Sequence, residues 1–275
     1  MNNKNIWAIA LLAILVISCG EDDVDPNETG TFQLFFENMA GSSQITLKDE
    51  GNQTYDFETA SGQKFNLSEL GYFISEIKLE GPDGAFYEDE ISVTANESRG
   101  YYHVQQGVSG SGSIDIVNVP AGKYDKVTFT LGVKEDGITE GAVGGVLDPA
   151  GDAARWFWRW NSGYIHFKME GNAEDSGQLG NEFAEAGTFA FHIGGWKDVA
   201  PDDNFVNNTR TITLDLDGTV TVNGELSPLA HVIVDVMKVL DETNVNFEST
   251  FSVHSPVSGQ PFANNLSEMF FVHHV

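Results

Sequence analysis

The chain has 275 residues, with 41 Asp and Glu against 14 Lys and Arg, for a formal net charge of −27. That balance excludes a nucleic-acid binder, whose phosphate contacts need clustered Lys and Arg; it suits a solvated extracellular surface, or one that gathers cations. Its one cysteine, Cys19, leaves no partner for a disulfide and no thiolate cluster for a metal, so the fold must rest on its apolar core.

The first element in chain order is a processing signal. Lys4 precedes an apolar run from Ile6 to Ile17, and Cys19 closes the segment Val16-Ile17-Ser18-Cys19 just ahead of Gly20, Glu21, Asp22, Asp23 and Asp25. A positive start, an apolar core and a small residue at the cut make a secretory signal. A cysteine at the cut resembles a bacterial lipobox, in which the thiol is acylated. The apolar run is shorter than the about 20 residues a spanning helix needs. We therefore expect a lipoprotein signal peptide over 1–18, a lipidated Cys19 with an acidic tether over 19–30, and one domain over 31–275. The expected place is the outer membrane, facing the periplasm or the cell surface. The lipid bilayer would hold the protein through the acyl chain, because no basic segment is present to grip an anionic surface. The acidic stretch after Cys19 also resembles that of surface-exported lipoproteins of Bacteroidetes.

From Thr31 onward the pattern has period two, with frequent turn residues. Strands are expected at Phe32–Phe36, Phe73–Leu79, Ile114–Val117, Val127–Leu131, Phe189–Ile193, Thr211–Leu216, Thr219–Val222, His231–Val236 and Phe251–His254. Gly81-Pro82-Asp83-Gly84 and Pro120-Ala121-Gly122 read as turns, and Asp217-Gly218 as the turn of a hairpin. Gly107 to Gly112 reads as a loop, and Gly137 to Arg155 as a long one, of the sort that often carries function. Helices should be one or two and short: Ser68 to Ile77 has room for a turn or two, and Ala263 to Phe270 for another, capped by Asn264 or Asn265. The fold class is all-β, an antiparallel β-sandwich-like single domain with long loops.

The densest aromatic segment runs from Trp156 to Gly171. In an extended chain Trp156, Trp158 and Trp160 share one face, where three indoles either fill a core or offer a platform to a sugar or a cation. Phosphate loops, a Gly-x-Ser-x-Gly elbow and a His-Glu-x-x-His helix are all missing. Asp215-Leu216-Asp217-Gly218 lacks the further oxygens of a calcium loop. With 41 acids, any chosen carboxylate pair is uninformative. We read the protein as not an enzyme.

Several segments resemble one family. They are Tyr72-Phe73-Ile74-Ser75, Pro120-Ala121-Gly122-Lys123-Tyr124, Leu131-Gly132-Val133, Leu147-Asp148-Pro149-Ala150, Trp158-Arg159-Trp160-Asn161-Ser162-Gly163-Tyr164 with Lys168-Met169-Glu170-Gly171, and Phe191-His192-Ile193-Gly194-Gly195. Together they resemble the MbnP-like copper-binding proteins, in a branch of Bacteroidetes-type lipoproteins. The resemblance implies a β-sandwich holding one copper ion through two histidines and a tryptophan oxidised to kynurenine. It also implies a partner, a di-haem enzyme of the cytochrome c peroxidase type. In those relatives the oxidised Trp and one His stand two positions apart. This chain has no Trp-x-His or His-x-Trp, so the kynurenine cannot be assigned to any residue here.

Copper favours imidazole, and no thiol competes for it here. Of the seven histidines, His192, His254 and His231 each fall on or at the end of an expected strand, which gives a rigid platform. They are the expected metal ligands, with His273 or His274 as substitutes and Trp158 and Trp160 as a neighbouring wall or an oxidised aromatic. The expected function is copper acquisition, storage or delivery in the cell envelope. The alternative is a metal-free surface module that binds glycan or protein through exposed aromatics.

Overall fold

The computed structural model describes residues 27–134, 143–159, 163–177, 179–197 and 206–275. Cys19, the signal segment and Trp160 lie outside these residues. Eleven strands carry the argument: β1 (Thr29–Ala40), β2 (Lys64–Glu80), β3 (Tyr101–Gln105), β4 (Ser113–Pro120), β5 (Gly122–Leu131), β6 (Gly163–Ala173), β7 (Thr188–Gly194), β8 (Arg210–Val222), β9 (Leu229–Asp235), β10 (Ser252–Val253) and β11 (Phe270–His274). The helices α1 (Met237–Glu242) and α2 (Pro256–Ala263) are short. β1 opens at Thr29, inside the stretch expected to be tether, because Thr29 and Gly30 pair with Pro120 and Val119.

Two sheets face each other. The smaller runs β11–β9–β1–β4, and the larger runs β8–β5–β2–β6–β7–β10, with β3 also paired to β2. Period-two alternation sets their inner faces. Phe32, Leu34 and Phe36 of β1 are buried, as are Ala230, Val232 and Val234 of β9. They meet Tyr72, Ile74, Phe129, Phe167, Phe191 and Leu216 from the other sheet in one apolar core. This is a β-sandwich, mostly antiparallel. Among the described residues two pairs are parallel, β1 with β9 and β7 with β10.

Whereas the outer side of β8 is exposed, the middle of the larger sheet, at β2, β6 and β7, is covered on both faces. A second cluster lies on its outer side, where Phe73, Tyr164 and Ile165 pack against Leu147, Trp156 and Trp158 from the connection ahead of β6. All seven residues of β7 are consequently buried.

Three expectations change. Ser68–Ile77 is not helical but lies inside the 17-residue β2, whose two covered faces give a run of apolar residues without alternation. Asp217-Gly218 is not a hairpin turn. Both residues take positive φ within one strand, β8, and form an irregularity against β5 between Tyr124 and Lys126. At the C-terminal end a 3₁₀ turn, Leu266–Met269, does follow Asn265, but the main helix, α2, starts earlier. It is set by a capping box between Ser255 and Ser258, with Pro256 in its first turn.

Candidate metal centre

The outer face of the larger sheet carries an unusual row of charged and aromatic side chains. β6 places Lys168 and Glu170 two residues apart, hence on one face. Lys168 pairs in register with His192 of β7, and Glu170 with Glu69 of β2. Lys168 is 1% exposed, with its Nζ 3.0 Å from Glu69 and 3.1 Å from Glu170. Its ammonium also lies 5.2 Å from the centre of the Trp156 ring. Arg155, on the solvent side, reaches the other oxygen of Glu69 at 3.0 Å. A buried ammonium is tolerable only with such pairing.

His192 stands beside this row. Its Nε2 lies 2.7 Å from Oε1 of Glu170. A carboxylate on one imidazole nitrogen fixes the tautomer and turns the other nitrogen outward as a lone pair. That other nitrogen, Nδ1, is buried and has no hydrogen-bond partner among the described residues. Burial alone would raise the pKa of Glu170, but the His192 hydrogen bond and the Lys168 charge bring it down to about 2. The carboxylate is therefore an anion throughout the physiological range.

His254 completes a pair. The parallel register of β7 and β10 carries it alongside His192, and the two ring centres are 4.7 Å apart. Asn208 fixes this junction by donating to the carbonyls of Gly194 and Pro256, both at 2.8 Å. Phe183 stacks on His254 at 4.0 Å, and Trp158 meets it at 5.6 Å. Burial, with smaller contributions from His192 and Lys168, lowers the His254 pKa to about 4. The ring is neutral at pH 7, the form that binds a metal.

The indoles of this face are walls. Trp156 and Trp158 are each 3% exposed. Two glycines make room for them: a Cβ on Gly71 would fall 2.8 Å from the Trp156 ring, and one on Gly194 would fall 3.0 Å from the Trp158 ring. Neither indole offers a platform to a surface ligand.

His231 does not join His192 and His254. It belongs to β9, on the outer face of the other sheet, because the inner positions of that strand are taken by Ala230, Val232 and Val234. Its ring neighbours are Phe35, His273 and His274, and its Nε2 is 2.8 Å from Glu37. The expected trio is thus split between the two faces of the sandwich. The tail pair His273 and His274 goes with His231 and cannot stand in beside His192.

Sequence reasoning missed Glu69, Lys168 and Glu170 as partners. The signal was the alternation Lys168-Met169-Glu170, two charges spaced by one apolar residue in a strand otherwise rich in apolar side chains. Of the remaining histidines, His103 stacks on Phe73 at 4.2 Å and meets Trp156 edge-on at 4.4 Å. His166 is fully buried against Gly132. Burial lowers the pKa of both to about 3, so both are neutral core residues.

The family model of MbnP matches residues 29–256. Among solved structures, MbnP from Methylosinus trichosporium aligns with a TM-score of 0.49 at 12% identity, over 78% of each chain. Comparison with curated proteins returns no match.

Proposed function

The chain belongs to the MbnP family, and from that premise we propose that it binds one copper ion at His192 and His254, for acquisition, storage or delivery in the cell envelope. One observation carries the reading: two imidazoles in contact, one with a buried nitrogen left unpaired by the carboxylate on its other side. Copper suits such a nitrogen set. Glu170 would orient His192, Lys168 would hold Glu170 as an anion, and Trp158 would close the site against water. The protein would act without catalysis, anchored to the bilayer through Cys19. The competing surface-recognition reading loses its main support, since Trp156 and Trp158 are buried.

The test is metal content by mass spectrometry on protein purified from its own host without added metal. We expect about one copper per chain in the wild type, lost in His192→Ala and in His254→Ala and kept in His231→Ala. Glu170→Gln should weaken retention by roughly 10–100-fold, as loss of an orienting carboxylate does. Copper kept in both His192→Ala and His254→Ala would overturn the assignment, and so would metal-free protein that takes up neither Cu(I) nor Cu(II).

A further inference from the structure

On the opposite side of the sandwich, we infer that His231, His273 and His274 form a second metal site, one that takes Zn2+. It does not depend on the copper site proposed above.

Neighbouring residues of a regular strand point to opposite faces, so His273 and His274 should diverge. They do not, because the pairing of β9 with β11 slips by one residue at this point. Val232 pairs with Val272, and His231 pairs with His274, so His273 is the extra residue of a bulge. A bulge sets two residues against one and re-aims their side chains. Both imidazoles of the tail thereby come over His231. One nitrogen from each of the three rings lies within 4.8 Å of the other two. The ring centres are 4.9–5.2 Å apart.

The surroundings suit a cation. Glu37, across the parallel pairing of β1 and β9, holds Nε2 of His231 at 2.8 Å, and Gln44 holds the other Glu37 oxygen at 2.9 Å. This is the carboxylate–histidine arrangement that orients a metal-bound imidazole. Nδ1 of His273 and Nδ1 of His274 stand 2.8 Å apart. One proton between two such nitrogens makes the contact, and a metal ion would replace it. Three imidazoles with a carboxylate behind them match the donor sets that zinc and copper use. His273 and His274 are exposed, so the ion can enter directly from solvent. A net charge of −27 raises the local concentration of cations. β11 lies beyond the matched residues 29–256, so two of the three ligands come from outside the segment that defines the family.

The experiment is a calorimetric titration of the purified, metal-stripped protein with Zn2+, in glycine to suppress weak binding by surface carboxylates. It compares wild type, His192→Ala, His231→Ala and the double variant His273→Ala/His274→Ala. Circular dichroism confirms that each is folded. A binding event that persists in His192→Ala and weakens in both His231→Ala and the tail double variant, by more than the about 100-fold that loss of an orienting partner costs, establishes the site. A His273→Asn/His274→Asn variant, which keeps polar side chains on the strand, should lose it equally. The inference is overturned if the tail variants bind Zn2+ like the wild type, if zinc binding is lost only in His192→Ala, or if the wild type binds none. The middle outcome would leave the His192–His254 site standing, and loss in the tail variants alone would leave only this one.

Discussion

Lys168→Met is the sharpest probe of the charged row behind His192. The substitution keeps the length and the apolar stem of the side chain and removes only the ammonium. In the wild type that ammonium sits 3.0 Å from one carboxylate and 3.1 Å from another. At an effective dielectric constant of about 20, each contact is a gross attraction of about 5 kcal/mol. Most of this offsets the cost of taking the charges out of water. Removing the lysine leaves Glu69 and Glu170 side by side, their desolvation cost offset only by the solvent-exposed Arg155 and by the hydrogen bond of His192 to Glu170. The expected loss is about 3–5 kcal/mol, the usual cost of breaking a buried pair from one side. Chemical denaturation at pH 7, followed by circular dichroism, measures it. Adding Glu170→Gln to Lys168→Met should restore about 1–3 kcal/mol relative to the sum of the single variants, as expected for groups in direct contact. A loss below about 1 kcal/mol for Lys168→Met, or strict additivity in the cycle, would refute the account of Lys168 as the counter-ion of this face.

Two further outcomes concern stability alone. His166 has its folded pKa lowered to about 3 by burial; below its unfolded value of about 6.5 the unfolded chain takes up a proton there and the folded chain does not, so stability falls as pH falls. Between pH 6 and pH 4.5 the advantage of wild type over His166→Leu should shrink by about 2 kcal/mol, and parallel stability curves would refute this. Tyr124 is fully buried and donates its hydroxyl to the carbonyl of Pro120 at 2.8 Å, bracing the turn between β4 and β5. Tyr124→Phe should therefore cost about 1 kcal/mol in the same denaturation assay, and a neutral result would mean that water replaces the bond.

Most of the sandwich was legible in the sequence where one face of a strand is wet. β1, β4 and β9 alternate plainly because the smaller sheet has a solvent side. β2 and β6 were harder, because both their faces are covered, and a strand buried on both sides carries no alternation. That is why Ser68–Ile77 read as a helical segment. The site divides in the same way. Period two put His192 on the face of Ala190 and His231 on the face of Ile233 and Asp235, and both placements are observed. Which sheet each strand enters is a long-range matter, and no local pattern could tell that β9 pairs with β1 while β10 pairs with β7. The three-histidine group of the tail depends on a one-residue slip in pairing, which leaves no trace in composition or spacing.

The parallel pairing of β1 with β9 has a consequence for the order in which the molecule can assemble. β1 is an inner strand of its sheet, yet one of its neighbours, β9, begins at Leu229, about two hundred residues later in the chain. During synthesis, β1 can acquire β4 on one edge early. Its other edge stays open until the last fifth of the polypeptide has emerged. For that interval Phe32, Leu34 and Phe36 have no completed sheet to shield them. Pairings this distant make folding slow, on the scale of about milliseconds to seconds for sandwiches. The smaller sheet can consequently be completed only once nearly the whole chain is available.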